Sequence, residues 1–228
     1  MSTPRGAAEL FFNSGSVCGE MYPTKIDQSL RFNDDDKAYL TRKPAAASNR
    51  QTWTWSGWIK ISDLSKSSPT LFSSYSAARY SGLVFTSAPD RKLRFYDLTG
   101  PSTFNANITW SPVLRDSSAW YHIQLAFNST EATNTDRVKL YINGVQQSTS
   151  GSVKWPAHNL NGVFNLTYSH YIGNLTAASS NLFDGYMAEV NFIDGQALDA
   201  SSFGELKSGV WVPKKYTGTY GTNGFHLD

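Results

Sequence analysis

Hydrolysis of a glycosidic bond with retention needs two carboxylates held about 5 Å apart, one as acid and one as nucleophile. In this chain of 228 residues the nearest approach to such a pair is Glu189-Val190-Asn191-Phe192-Ile193-Asp194. Alternate side chains of a strand share a face, so the middle position that should carry an acid is held by Asn191. Asp194 stands beside Gly195 at an expected turn, which leaves Glu189 alone on the strand, where it is expected to hydrogen-bond a neighbouring strand. Glu9, Glu20, Glu131 and Glu205 lie on no convincing strand near a second acid. There is no Gly-x-Ser-x-Gly elbow, because Asn13-Ser14-Gly15-Ser16 has the wrong leading residue. His122, His158, His170 and His226 are dispersed, without the paired spacing that chelates zinc. Phosphate-cradling glycine motifs are absent. Cys18 is the only cysteine, which excludes an internal disulfide and a multi-cysteine zinc site. The chain reads as a non-enzyme with no catalytic set.

Binding chemistry is better represented. Asp34, Asp35 and Asp36 put three hard oxygen donors in one loop and are candidates for calcium. Their spacing lacks the alternating ligands and terminal Glu of an EF-hand loop, and Asp also favours turns by bonding its own backbone. Turn chemistry is therefore the preferred reading, and no cofactor is required. Sugars present apolar C–H faces and many hydroxyls, which suit exposed aromatic rings flanked by short polar side chains. Trp58 on one expected strand, with Trp120, His122 and Gln124 on another, supplies such an outward row. If those strands are neighbours, the row is a glycan platform. The alternative is that a terminal arm covers Trp58 and Trp120 and makes a small second core.

Strands must position these residues. Ser, Thr and Asn together number 63 against 5 Glu, a balance that suits solvated sheet faces over helices. In Thr52 to Ile61, Trp53, Trp55, Gly57, Ile59 and Ile61 alternate with Thr52, Thr54, Ser56, Trp58 and Lys60. Tyr121, Ile123, Leu125 and Phe127 alternate with Trp120, His122, Gln124 and Ala126, and Val138, Leu140 and Ile142 point one way. Each of these patterns predicts a strand with one face buried. Asn143-Gly144 predicts a tight hairpin between Lys139–Ile142 and Val145–Gln147. Asn33-Asp34-Asp35-Asp36 predicts a turn between Ser29–Phe32 and Lys37–Arg42. Further strands are expected at Thr70–Ser73, Gly82–Thr86, Lys92–Tyr96, Asn105–Thr109, Tyr168–Gly173 and Phe183–Phe192. About a dozen short strands without an amphipathic helix imply an all-β, two-sheet antiparallel sandwich. Residues 28–198 form that domain, with an N-terminal arm at 1–27 and a C-terminal arm at 199–228 that dock either on the sandwich or on neighbouring subunits.

Composition removes several function classes. Lys plus Arg is 20 and Asp plus Glu is 18, a net charge of +2 without the clustered cations that nucleic-acid binding needs. The 7 Trp, 12 Tyr and 13 Phe oppose disorder. No apolar run reaches the ~20 residues of a membrane helix, so no membrane insertion is expected. The start, MSTPRGAAELFF, has no basic segment followed by a long apolar stretch, so no secretory signal is expected. The sequons at Asn107, Asn128, Asn165 and Asn174 are read as chance.

Several stretches in order resemble a known group. Ser29-Leu30-Arg31-Phe32, then Trp53-Thr54-Trp55-Ser56-Gly57-Trp58-Ile59-Lys60, look like the opening strands of laminin-G-like, concanavalin-A-like jelly rolls. Trp120-Tyr121-His122-Ile123, Leu140-Tyr141-Ile142-Asn143-Gly144 and Phe183-Asp184-Gly185-Tyr186-Met187-Ala188-Glu189-Val190 complete the set. The extension Phe192-Ile193-Asp194-Gly195-Gln196-Ala197-Leu198-Asp199, with Trp211-Val212-Pro213-Lys214-Lys215-Tyr216-Thr217-Gly218 and Asn223-Gly224-Phe225-His226-Leu227-Asp228, resembles structural proteins of bacteriophages, especially those of marine bacteria. This resemblance implies a tail-fibre or virion-surface module that meets host glycan or receptor, with other virion proteins as partners and a homotrimer by analogy. The alternative is a head-decoration or connector protein without a glycan site; a glucan hydrolase stands third.

Overall fold

The computed structural model describes residues 26–63, 65, 67–100, 102–178 and 181–228, so Cys18 and most of the expected N-terminal arm lie outside the described residues. Fifteen strands are seen among them, β1 (Leu30–Phe32), β2 (Leu40–Arg42), β3 (Thr52–Asp63), β4 (Thr70–Ser76), β5 (Arg79–Phe85), β6 (Lys92–Thr99), β7 (Phe104–Val113) and β8 (Trp120–Asn128) coming first. β9 (Val138–Ile142), β10 (Val145–Gln146), β11 (Ser169–Ile172), β12 (Asp184–Asp194), β13 (Gly204–Lys207), β14 (Val210–Pro213) and β15 (Phe225–Leu227) follow. A seven-stranded front sheet runs β1-β12-β3-β8-β9-β10, with β15 also paired to β12. The back sheet has six strands in the order β2-β11-β4-β5-β6-β7, and β13 and β14 make a separate hairpin. All pairings are antiparallel. The chain is therefore the expected all-β sandwich.

The expected turns form where the backbone chemistry requires them. Asn143 and Gly144 take φ of 48° and 80°, the two positive angles of a tight hairpin. Asp34 to Lys37 is a turn in which the Lys37 N–H donates to the Asp34 carbonyl at 3.2 Å and Ala38 N–H to the Asn33 carbonyl at 3.0 Å. That turn uses up the residues expected to start the next strand, so pairing begins only at Leu40.

Aromatic side chains join the two sheets. Trp53 of β3 stacks on Phe127 of β8 at 5.2 Å, and its edge meets Phe95 of the back sheet at 5.8 Å and Phe164 at 4.8 Å. Phe164 in turn stacks on Phe72 of β4 at 4.7 Å. Phe164 lies in no strand, and no periodicity marks it for the core. His170 of β11 is buried against Phe72, Phe164 and Phe192. Its Nε2 accepts from the Asn165 N–H and its Nδ1 donates to the Tyr168 carbonyl. Both contacts fit a neutral ring, and burial pushes its pKa down to about 4. Of the sequon asparagines, Asn165 and Asn174 are buried and bonded inside the fold.

One expectation about exposure is corrected. Alternation predicts a single buried face for β3, yet Thr54, Ser56 and Trp58 are buried as well as Trp53, Trp55 and Ile59. The C-terminal segment lies across this outer face. Thr54 Oγ1 donates to the Gln196 carbonyl at 2.8 Å and accepts from the Leu198 N–H at 2.9 Å. Asp194 holds the same segment lower down, accepting from Asn165 Nδ2 and from the Asn223 N–H, both at 2.9 Å.

Phe164→Ala is expected to remove about 3–5 kcal/mol of stability, the usual loss for a fully buried phenylalanine. Urea unfolding of the two proteins checks this, and a loss below about 1 kcal/mol would show that the ring does not join the sheets.

Candidate functional site

Pairing of β3 with β8 makes the two expected binding strands neighbours, with Trp58 opposite His122 and Lys60 opposite Trp120. On the other side of β3, Ala188 of β12 lies opposite Trp58 and Tyr186 opposite Lys60. These residues share the outer face of the front sheet. The small side chain of Ala188 leaves space beside Trp58, and the Trp120 and Tyr186 rings approach to 6.5 Å.

Two walls turn this face into a groove. β14 contributes Val210, Trp211 and Pro213 on one side, and Ile26 to Ser29 leading into β1 stand on the other. The groove encloses about 490 Å³ and is floored by Trp58, Trp120 and Ala188. That volume lies within the ~300–1,000 Å³ usual for small-ligand sites. Its walls are mostly apolar, while Asp27, Gln28 and Ser29 give one lip polar character. Trp120 remains 38% exposed, whereas Trp58 is 8% exposed. Trp120 is thus a ring a ligand can reach, and Trp58 forms floor.

Trp211 fixes the first wall. A Cβ on Gly144 would lie 2.5 Å from its ring, and one on Gly204 would lie 2.4 Å away, so both glycines leave room for the indole. Its Nε1–H donates to His122 Nδ1 at 3.1 Å, and the two rings stack at 5.9 Å. Tryptophan can only donate, so Nδ1 is the acceptor and the His122 proton sits on Nε2, where it bonds Ser56 Oγ at 2.8 Å. Complete burial pushes the His122 pKa down to about 3.

These contacts divide the expected glycan row. Trp58 and Trp120 enter the groove. His122 and Gln124 do not, and their assignment is corrected: both are fully buried, His122 beneath Trp211 and Gln124 donating to the Leu198 carbonyl at 2.5 Å. Period-2 patterning tells which face they occupy but not what lies on it. Trp211 is an addition, visible in the sequence as an aromatic residue of the C-terminal arm.

The acidic candidates are held in structural contacts. Glu189 has φ of 49° at the irregularity where the β12 to β3 register shifts between Ala188 and Asn191. Its carboxylate meets His226 of β15 at 2.9 Å, a neighbouring-strand contact of the expected kind. Tyr220 stacks on His226 and donates to Asn191 Oδ1 at 3.1 Å. Asp34, Asp35 and Asp36 do not converge: Asp34 is buried, Asp36 accepts from Asn33 Nδ2 at 2.7 Å, and Asp35 is exposed. Among the described residues no group of three His, Cys, Asp or Glu side chains is placed to hold a metal ion.

A sequence model of the family described as Concanavalin A-like lectin/glucanases superfamily matches residues 33–202. Domain 4 of AbnA, a GH43 extracellular arabinanase from Geobacillus stearothermophilus in complex with arabinotriose, is similar at a TM-score of 0.55 and 20% identity, over 78% of this chain and 75% of that one. Domains LG4-5 of the mouse laminin alpha1 chain are similar at a TM-score of 0.52 and 13% identity, with 78% of this chain matched to 44% of theirs. No curated protein matches the chain in sequence.

Two histidines kept neutral by burial make stability depend on pH with a definite sign. Both have folded pKa values below the ordinary 6.5, so below pH 6.5 the unfolded chain takes up protons that the folded chain refuses. Unfolding free energy is expected to fall as pH drops from 6.5 towards 4, each histidine contributing up to ~1.4 kcal/mol per pH unit. In His122→Gln the slope between pH 6 and 5 should be shallower by close to one proton. Urea titrations at stepped pH measure it, and equal slopes would mean that His122 is charged when folded.

Proposed function

The chain belongs to the Concanavalin A-like lectin/glucanases superfamily, and from that premise we propose that it is a non-catalytic glycan-binding module displayed on the surface of a bacteriophage particle, where it meets host-cell polysaccharide. The observation that carries the reading is the groove at Trp120, where an exposed indole lies in a mostly apolar floor beside the Trp211 wall and a polar lip. A sugar ring places its C–H face on such a surface and its hydroxyls at the rim. The solved complex of the arabinanase domain with arabinotriose is a precedent for sugar binding on a related sandwich.

A binding role, without bond cleavage, is favoured by the state of the acids. Glu189 is engaged by His226, and both oxygens of Asp194 accept hydrogen bonds that fasten the fold. Neither carboxylate opens on the groove, and the groove lining contains no carboxylate pair. The attachment of residues 196–223 to their own sandwich favours receptor contact over a connector role, because the aromatic rings of that segment are occupied within the chain. The phage assignment rests on the motifs from Phe192 to Asp199, from Trp211 to Gly218 and from Asn223 to Asp228. Weak single-site affinity would be raised by many copies on one particle.

Trp58→Ala is a poor test, because that indole packs on His122 and its loss would disturb the fold. Trp120→Ala removes an exposed ring and is expected to leave the melting temperature within a degree or two. On a glycan array, binding should drop at least about tenfold, roughly 1.4 kcal/mol. Undiminished binding by Trp120→Ala, or an array without any hit, would remove the groove from the reading.

A further inference from the structure

The outer face of the back sheet carries a second arrangement of side chains, far from the Trp120 groove in the fold because the core separates the two sheets. Arg94 of β6 lies over two rings at once, Tyr96 at 5.3 Å and Phe104 at 5.4 Å. Its Nε donates to Asn107 Oδ1 at 2.8 Å. The two terminal nitrogens donate to none of the described residues. The guanidinium is therefore held against two rings and at its inner edge, while its outer fork is left to present four N–H groups. Most surface arginines are mobile and lose side-chain entropy on binding an anion. Arg94 has already been ordered by its neighbours.

The surroundings reinforce the charge. Lys92 is two residues earlier on the same strand and so on the same face; it is partly buried, with Nζ 3.2 Å from Ser150 Oγ. Lys154 pairs with Asn107 across an isolated bridge, each N–H donating to the other carbonyl at 2.8 and 2.9 Å. Directly paired residues project to one side, which brings a third, exposed cation to this edge. No outward position of β6 or β7 carries a carboxylate. Asp97 of β6 points inward, where its oxygens accept from Asn105 Nδ2 and the Val163 N–H. A chain of nearly balanced overall charge thus has a local excess of cations around a fixed, planar, unpaired fork.

We propose that Arg94, with Lys92 and Lys154, forms a second binding site that takes carboxylate-bearing sugars, namely uronic acid units of an acidic polysaccharide. A planar carboxylate meets the guanidinium fork with two parallel hydrogen bonds, and the partly exposed Phe104 offers apolar surface to the attached ring. The class of ligand rests on the glycan-binding reading, but the site shares no residue with the groove at Trp120, so either can fail alone.

The test is an NMR titration of the 15N-labelled full chain with trigalacturonic acid, following the Arg94 Nε–H and the amides of β6 and β7. Saturable shifts confined to this face are expected, with much smaller ones from neutral galactotriose. Arg94→Lys keeps the charge but loses the fork, and should weaken binding about tenfold. Asn107→Asp keeps the shape, places a carboxylate beside Arg94, and should weaken binding with the fold intact by circular dichroism. Trp120→Ala should bind trigalacturonic acid as the parent does. The proposal is overturned if trigalacturonic acid gives no saturable shift, if galactotriose matches it, if a sulfated galactose trisaccharide binds more tightly, or if the Arg94→Lys and Asn107→Asp variants both bind unchanged.

Discussion

A single part-buried hydrogen bond, from the indole N–H of Trp211 to Nδ1 of His122, sets the character of the front of this molecule. It requires an uncharged imidazole, and burial supplies that condition. It also requires β14 to lie against the Asn143-Gly144 turn, where the absence of a side chain admits the indole. Once Trp211 is seated, the β13–β14 hairpin must stand beside Trp58, and the groove wall is built. The same bond that closes the sheet over His122 leaves Trp120 open, two residues away along the same face of β8. Structure and site follow from one packing decision.

The cover over the front sheet is polar as well as aromatic. A sheet face of Thr54, Ser56, His122 and Gln124 cannot be buried under a purely apolar layer, because each unpaired polar group would lose about 1–3 kcal/mol. Main-chain groups of residues 196–198 answer Thr54 and the Gln124 amide N–H, while Ser56 and the Trp211 indole answer His122; Gln124 Oε1 is left without a partner among the described residues. Asp194 extends the seam to Asn165 and Asn223. Such contacts are directional, so they fix the segment in register, whereas the apolar core fixes only which faces meet. This is why the groove wall is a defined surface.

Alternation of side chains is readable wherever a strand has one face on the core. Trp53, Trp55 and Ile59, or Ile123, Leu125 and Phe127, face inward as their spacing requires, and Asn143-Gly144 turns as its backbone preferences demand. The outer faces are not readable in the same way. Whether His122 meets water or an indole depends on a residue 89 positions later in the chain, and no local period carries that information. Glu189 shows a second limit: its positive φ breaks the alternation that the stretch from Glu189 to Asp194 suggests. Phe164 shows a third, since an isolated aromatic in a loop has no neighbours in sequence to mark it as core. The Trp58 and Trp120 pair is legible as outward aromatics; their unequal exposure is a matter of tertiary cover.

The two outer faces of the sandwich differ in a way that bears on how such a module works. On the front sheet the aromatic rings are walled by a folded segment, so the recognition proposed there would depend on shape and C–H contact. On the back sheet the rings of Tyr96 and Phe104 lie beneath a guanidinium, and their role is to hold a charge still. Charge attracts over roughly 8–10 Å at ordinary salt, whereas ring stacking acts only on contact. A polyanionic surface polymer would therefore be drawn first to the back sheet and retained by whichever face fits its sugars, with the two sites on one rigid body raising each other's effective concentration. The rigidity matters here: the sheets are joined through Trp53, Phe164 and Phe72, so the separation between the two faces is set by the core and does not vary with a linker.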